Sequence, residues 1–99
     1  MQTIVKPQIS ILETGKEYKI LRVTGAKGCQ MPQHISTKEA IIIVYEGEAI
    51  LKLGSREIPL RVNEPFIIPA LAAHSLFITE DFAAHVIMAV ESEIKFINN

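Results

Sequence analysis

His34 and His74 are the side chains whose type and spacing best suit chemistry in this chain of 99 residues. Imidazole binds borderline divalent metals such as Zn, Fe, Ni and Cu through a ring nitrogen. Two histidines on facing strands would supply two of the roughly four to six donors that such an ion requires. The pair is therefore a candidate, but incomplete, metal site.

Other reactive side chains form no catalytic pattern. Cys29 lies near His34, but a single cysteine with no oriented base is not a protease signature. Ser36 and Ser75 lie near histidines without the G-x-S-x-G turn that exposes a serine nucleophile. The chain has no glycine-rich phosphate loop. The histidines therefore remain the main candidates for a functional site.

The elements that must position these histidines are short strands. Apolar runs separated by turn residues recur along the chain and predict an all-β sandwich or barrel, without an amphipathic helix. Gly54 and Ser55 separate two of these runs and suit a two-residue hairpin, with glycine at the positive-φ position. The predicted strands cover residues 9–12, 18–24, 40–45, 49–53, 57–61, 66–68, 75–79, 82–90 and 94–97.

Both histidines fall within longer patterns. Gly28, His34 and Gly47 have the spacing of the motif G-x5-H-x-H-x3,4-E-x6-G, and Pro69 and His74 have that of G-x5-P-x-G-x2-H-x3-N. These are the two motifs of the cupin family, which the chain resembles over residues 28–78, about half its length. The resemblance implies an all-β, cupin-type jelly-roll β-barrel. We expect a single cupin domain over 1–99, with motif 1 at about 28–47 and motif 2 at about 63–78.

The first motif departs from the family at two metal-ligand positions. Cupins usually hold a metal with three histidines and one glutamate, but Ser36 occupies the second histidine position and Ala40 the glutamate position. A neutral hydroxyl binds metal weakly, and alanine supplies no donor. Glu39 is adjacent, but successive strand side chains point to opposite faces, so only a β-bulge would turn it inward. The resemblance implies a ligand pocket at His34, Ser36, His74 and Leu76.

The second motif departs from the family at three positions. Asn63 replaces its first glycine, Leu71 its second glycine and Ile78 its final asparagine. Asparagine tolerates left-handed backbone geometry better than most residues, so the first replacement is compatible with the family's turn.

His85 is a possible third metal ligand, depending on how its strand is connected. If residues 76–78 and 83–85 formed a simple hairpin, Leu76 would face His85, and His85 would share a face with His74. In a jelly roll this connection usually passes from one sheet to the other, and that pairing fails. Both arrangements remain open at this stage.

The run from Ile41 to Val44 is apolar on both strand faces, whereas a half-exposed strand would alternate. One face must line the barrel, and the other needs cover from a terminal strand of the same chain, from a partner subunit, or from strands exchanged in a dimer. We expect a homodimer with Ile41 or Ile43 in or next to its interface, since both have the outward parity.

Composition limits the other partners. The chain is 48% hydrophobic with a formal net charge of −1, and its ten Lys and Arg residues are offset by eleven acids. This balance gives no basic surface for nucleic acid. No apolar run approaches the ~20 residues that cross a bilayer, and the first residues lack a signal-peptide core. With one cysteine and no internal disulfide, we expect a cytoplasmic protein that binds no membrane.

Three functions are compatible with these features. The leading prediction is a cupin-like small-molecule-binding protein that lacks the complete family metal site and has no assigned cofactor. The alternative is a metal-dependent enzyme of dioxygenase or isomerase type, in which His34 and His74, with or without His85 and waters, hold a divalent transition metal (Fe, Mn, Ni or Zn). A third class is a structural or partner-binding barrel whose interior is filled by side chains.

Overall fold

The computed structural model describes residues 6–97, and all regular secondary structure within them is β-strand. The all-β prediction is therefore confirmed. No helix of this range is long and apolar enough to span a bilayer. The strands are β1 Gln8–Thr14, β2 Tyr18–Gly25, β3 Gln30–Ser36, β4 Ala40–Leu53, β5 Arg56–Arg61, β6 Phe66–Ile68, β7 His74–Ala89 and β8 Ile94–Phe96.

The two longest strands, β4 and β7, form one antiparallel ribbon. Their register runs from Ala40 opposite Met88 to Leu53 opposite His74, with irregularities between Val44 and Ala49. At one end of the ribbon β2 and β1 extend β7, and β6 extends β4; we call this five-stranded unit the first sheet. At the other end β3 and β8 extend β7, and β5 extends β4, forming the second sheet. The ribbon thus belongs to both sheets.

The crease between the two sheets requires a glycine at position 47. Gly47 has a φ of +76°, and a Cβ atom there would lie 1.8 Å from the carbonyl oxygen of Asp81 on β7. No side chain fits so close a backbone approach. The sequence predicted that each long strand would be two short ones. The structure corrects this, because residues 46–48 and 80–81 bend the ribbon without ending its strands.

Strand β3, which carries His34, was absent from the sequence prediction. Its residues are largely polar and include Pro32, so they show no alternation of apolar and polar positions. The proline lies in an irregularity between Met31 and His34, where the pairing with β7 is interrupted. A bulge of this kind tolerates a residue without an N–H donor. Tertiary pairing with β7 and β8 therefore determines this strand.

Two predicted turn features are present. Gly54 has a φ of +62° and, with Ser55, joins Leu53 to Arg56 as a two-residue hairpin. Asn63 has a φ of +67°, in the left-handed region that asparagine tolerates. Leu71, which also replaces a motif glycine, has a φ of +64°, and its N–H donates to the carbonyl of Ser36 at 2.8 Å.

The part of the core at the crease of the ribbon borders no cavity. Six apolar residues in this packed end are between 0% and 3% exposed: Val44, Ala49, Leu60, Ile78, Phe82 and Ala84. None of them borders the cavity, which lies toward the opposite end of the barrel. The molecule thus has a packed end at the crease and a hollow end where the two arms of the ribbon terminate.

Candidate ligand pocket

His34 and His74 meet inside the hollow end of the barrel. They are register partners on neighbouring strands β3 and β7. Their ring centroids are 4.2 Å apart, with the rings inclined at 64°, and the residues are 5% and 3% exposed. The structure therefore brings together the two histidines that were singled out by motif spacing.

Each histidine ring is held by a carbonyl from its own chain segment. Nδ1 of His34 lies 2.7 Å from the carbonyl oxygen of Pro32, and Nδ1 of His74 lies 2.9 Å from that of Ala72. A carbonyl oxygen only accepts hydrogen bonds, so Nδ1 must carry the proton in both rings. In the neutral ring Nε2 is then an acceptor. The local backbone therefore fixes the tautomer of both side chains.

Burial keeps the two rings neutral. Desolvation lowers the pKa of His34 and that of His74 below the ordinary value, and the neighbouring His74 lowers the pKa of His34 further. The carbonyls of Pro32 and Ala72 oppose this shift only in part. At neutral pH the pocket therefore contains two uncharged imidazoles, each with an Nε2 lone pair.

The cavity beside these rings is otherwise almost entirely apolar. Ser36 and Leu76 both line it, so the structure groups all four residues of the predicted pocket around one space. The centres of water-sized molecules can occupy about 40 Å³ of this cavity. This is room for about three waters at ~10–15 Å³ each. The remaining walls come from both sheets and include Met31, Ile42, Leu51, Val86, Met88 and Ile94.

These residues do not fit the metal site of a typical cupin. Ala40 lines the cavity without a donor, and Glu39 is solvent-exposed in the turn before β4. Within residues 6–97 no group of three or more His, Cys, Asp or Glu side chains could hold a metal ion. The available set is two imidazoles and the Ser36 hydroxyl, fewer charged or strong donors than a tight divalent site uses.

His85, predicted as a possible third ligand, lies on the outer face of the first sheet. Residues 74–89 form one continuous strand, so the simple hairpin that would place Leu76 opposite His85 does not form. Even-numbered residues of β7 face the interior, and His85 has the opposite parity. Its ring instead packs on Tyr45, with centroids 4.6 Å apart. It cannot join His34 and His74 at one ion.

Several pocket residues were missed in the sequence interpretation. Val86 and Met88 share the parity of His74 along β7, a signal that becomes visible only if residues 74–89 are treated as one strand. The contact of Phe96 with His34 was also missed, although Phe96 does not line the cavity. It pairs with His34 through β8, and its ring lies 5.3 Å from the imidazole. No pattern in the sequence indicates that contact.

Comparison with known proteins identifies the fold. No family model and no curated protein sequence matches the chain. An RmlC-like cupin protein from Desulfovibrio desulfuricans is similar, with 22% identity, a TM-score of 0.73, and coverage of 85% of this chain and 82% of that one. An uncharacterized protein with a double-stranded β-helix domain from Klebsiella pneumoniae is also similar. The match covers 98% of this chain and 90% of that one, with 13% identity and a TM-score of 0.79.

A larger enzyme has the same architecture. The lyase DddQ from Ruegeria pomeroyi, described as acting on DMSP, matches 92% of this chain over 51% of its own length, with 18% identity and a TM-score of 0.82. At such identities the likeness concerns the fold and not the activity. The chain is a small barrel of the cupin, or double-stranded β-helix, fold.

Proposed function

We propose that this protein binds a small, largely apolar, neutral molecule through a hydrogen-bond donor that the molecule presents to Nε2 of His34 and His74. The observation that carries the proposal is the commitment of both Nδ1 protons to the carbonyls of Pro32 and Ala72. That commitment leaves Nε2 of each ring as an acceptor, and both residues line the cavity. A hydroxyl or N–H group satisfies them, whereas a second acceptor does not.

The walls of the cavity favour a neutral ligand over an ion. Apart from the imidazoles and Ser36, the side chains that line it are aliphatic or methionine. An anion would lose its hydration, meet two lone pairs and find no cationic partner, since burial keeps both rings uncharged. An apolar body with one donor gains burial area and one or two hydrogen bonds instead.

The second candidate function is metal-assisted catalysis, and the proximity of the two imidazole rings favours it. Two imidazoles with centroids 4.2 Å apart could both face one cation. A barrel of similar fold makes up about half of the DMSP lyase DddQ, which supports a catalytic role. The short donor set argues against tight binding. Metal analysis of protein purified without a polyhistidine tag separates the two functions, because near-stoichiometric transition metal would favour the enzyme.

Pyrrole and furan test the donor requirement directly. They are five-membered rings of nearly equal size, but only pyrrole carries an N–H donor. Binding is followed by NMR through the imidazole resonances of the full-length protein at pH 7.5. We expect pyrrole to bind ~10-fold more tightly than furan, the equivalent of one hydrogen bond of ~1.4 kcal/mol.

The matched variant is His74→Phe, which keeps a ring in the pocket but removes one acceptor. It should bring the affinities for pyrrole and furan closer together while leaving furan binding nearly unchanged. Equal binding of the two probes to the parent protein would refute the donor requirement. Saturable binding of acetate at the same resonances would refute the preference for neutral ligands.

A further inference from the structure

A row of isoleucines crosses the outer face of the first sheet. The pairing registers place Ile20 beside Ile87, Ile87 beside Ile41, and Ile41 beside Ile67, so four adjacent strands each contribute one isoleucine. Their sequence neighbours, such as Leu21, are buried in the barrel, which confirms that the row faces outward. We call this row and its immediate surroundings the isoleucine face.

The isoleucine face extends into the next row of residues. There Arg22 pairs with His85, and His85 with Ile43, while the ring of Tyr45 packs on the imidazole. Tyr45 is 44% exposed. Apolar and aromatic side chains therefore cover the centre of the face, although it lies on the surface of the barrel. A continuous apolar patch on a single protomer is typical of an interaction site.

No strand among residues 6–97 covers the isoleucine face. Strand β1 pairs with the edge of the first sheet at β2, and β8 pairs with the second sheet at β3. Both terminal strands thus extend the sheets sideways and do not lie across them. The outer face of the second sheet differs, because Phe77 there is followed by a polar row of Ser75, Lys52 and Glu57.

We infer that the isoleucine face binds a second copy of this chain, an inference independent of the ligand pocket. An apolar sheet face can pack on a copy of itself about a two-fold axis, and sheets pack face to face in aligned pairs. Charge does not oppose the pairing, because Glu13 on β1 and Arg22 on β2 give the outward surface one charge of each sign. A basic or acidic partner would find no complementary patch there.

The size of the face fits a dimer. Four strands that contribute seven or eight residues each and the three-residue strand β6, at ~3.3 Å per residue and ~4.8 Å between strands, give a plane of ~520 Å² before side-chain relief is counted. A standard interface buries ~800 Å² of accessible surface on each partner, and homodimer interfaces are the more apolar ones. Side-chain relief adds to the planar area, so the face approaches the size of a standard interface.

Two surface variants with equal exposure test the inference. Ile41 is 37% exposed on the isoleucine face, and Phe77 is 38% exposed on the outer face of the second sheet. Sedimentation equilibrium of the full chain should show a dimer for the parent and for Phe77→Lys. For Ile41→Lys the dimer dissociation constant should rise ~100-fold or more, since the ammonium would be buried unpaired. Circular dichroism confirms that each variant folds.

Ile67→Lys, at a site 54% exposed on edge strand β6, replaces Ile41→Lys if the latter does not fold. It should weaken the dimer in the same way. A parent protein that stays monomeric at ~200 µM overturns the inference, as does a folded Ile41→Lys or Ile67→Lys variant with undiminished dimerisation. A monomeric parent that dimerises only after deletion of residues 1–5 would show that this segment, and not a second copy, covers the face.

Discussion

The two ends of the barrel are built from the same ribbon but differ in packing. At the crease, Ile78 and Ala49 are 0% exposed and border no cavity. At the other end, His74 and Leu76 precede Ile78 by only a few residues on the same strand, yet they line open space. A single strand thus contributes to both a dense core and a pocket. Stability and ligand binding are therefore separable along β7.

The largest expected effect comes from breaking the crease. Gly47→Ala would place a Cβ atom 1.8 Å from the carbonyl oxygen of Asp81, so the ribbon could not fold over. We expect a loss of more than ~4 kcal/mol in the free energy of unfolding, enough to leave little folded protein. Urea denaturation followed by circular dichroism measures it.

Gly54→Ala is the matched control. Its φ is also positive, at +62°, but a Cβ atom there would meet nothing within 4 Å. Only the left-handed backbone penalty of about 1–2 kcal/mol applies. Similar losses for the two variants would contradict the role assigned to the close approach at Gly47.

A second prediction compares the two ends directly. Ile78→Ala removes a side chain from the packed end and should cost ~3–5 kcal/mol, because the surrounding residues cannot fill the space. Leu76→Ala, two residues away and also facing inward, enlarges a cavity that already exists and should cost ~2 kcal/mol. Thermal and urea unfolding of both variants provide the test. A greater loss for Leu76→Ala would mean that the hollow end carries more stability than its packing indicates.

Restoring the two missing metal ligands tests whether the hollow end can be turned into a metal site. Ser36→His with Ala40→Glu supplies the two donors absent from the first cupin motif, at positions that line the cavity. Calorimetry should then show Ni²⁺ or Zn²⁺ binding ~100-fold tighter than in the parent. Parent protein that binds either ion as tightly as the double variant would show that His34 and His74 already suffice.

The smallest predicted effect is a pH dependence confined to the hollow end. The folded-state pKa values of His34 and His74 lie below the ordinary value of about 6.5. As pH falls below ~6.5, the unfolded chain takes up protons before the folded chain does, so stability declines until the folded pKa values are passed. Above pH ~6.5 the contribution of these two histidines to the free energy of unfolding is fully present.

Urea unfolding at a series of pH values between 7.5 and about 5 measures this decline. The variant His34→Phe with His74→Phe should be markedly less sensitive over the same range, since phenylalanine does not titrate. A decline of equal size in the double variant would assign the pH dependence to other groups.

The sequence predicted the fold better than the site. Turn residues at regular spacing and the matches at His34, Gly47 and His74 were enough to indicate a cupin-type barrel. Strand β3 was missed because Pro32 and its polar neighbours resemble a loop until β7 pairs with them. The sequence prediction divided β7 into two strands because Glu80 and Asp81 resemble a turn.

The site was only partly predictable for a different reason. Motif spacing located His34, Ser36, His74 and Leu76, but the hydrogen bonds that set the tautomers depend on how each backbone turns back on its own imidazole. The outward position of His85 depends on the continuity of β7. The homodimer stays a prediction, and the isoleucine row that supports it emerges only from the register of four strands.

The creased ribbon also determines the order in which the molecule can fold. Pairing Leu53 with His74 closes a loop of about twenty residues, whereas pairing Ala40 with Met88 directly would close one of nearly fifty. The arm in the second sheet should therefore form first and lower the entropic cost of pairing the other. Mutations in that arm should slow folding, while those near Met88 should mainly accelerate unfolding. With contacts so distant in sequence, folding should take milliseconds to seconds.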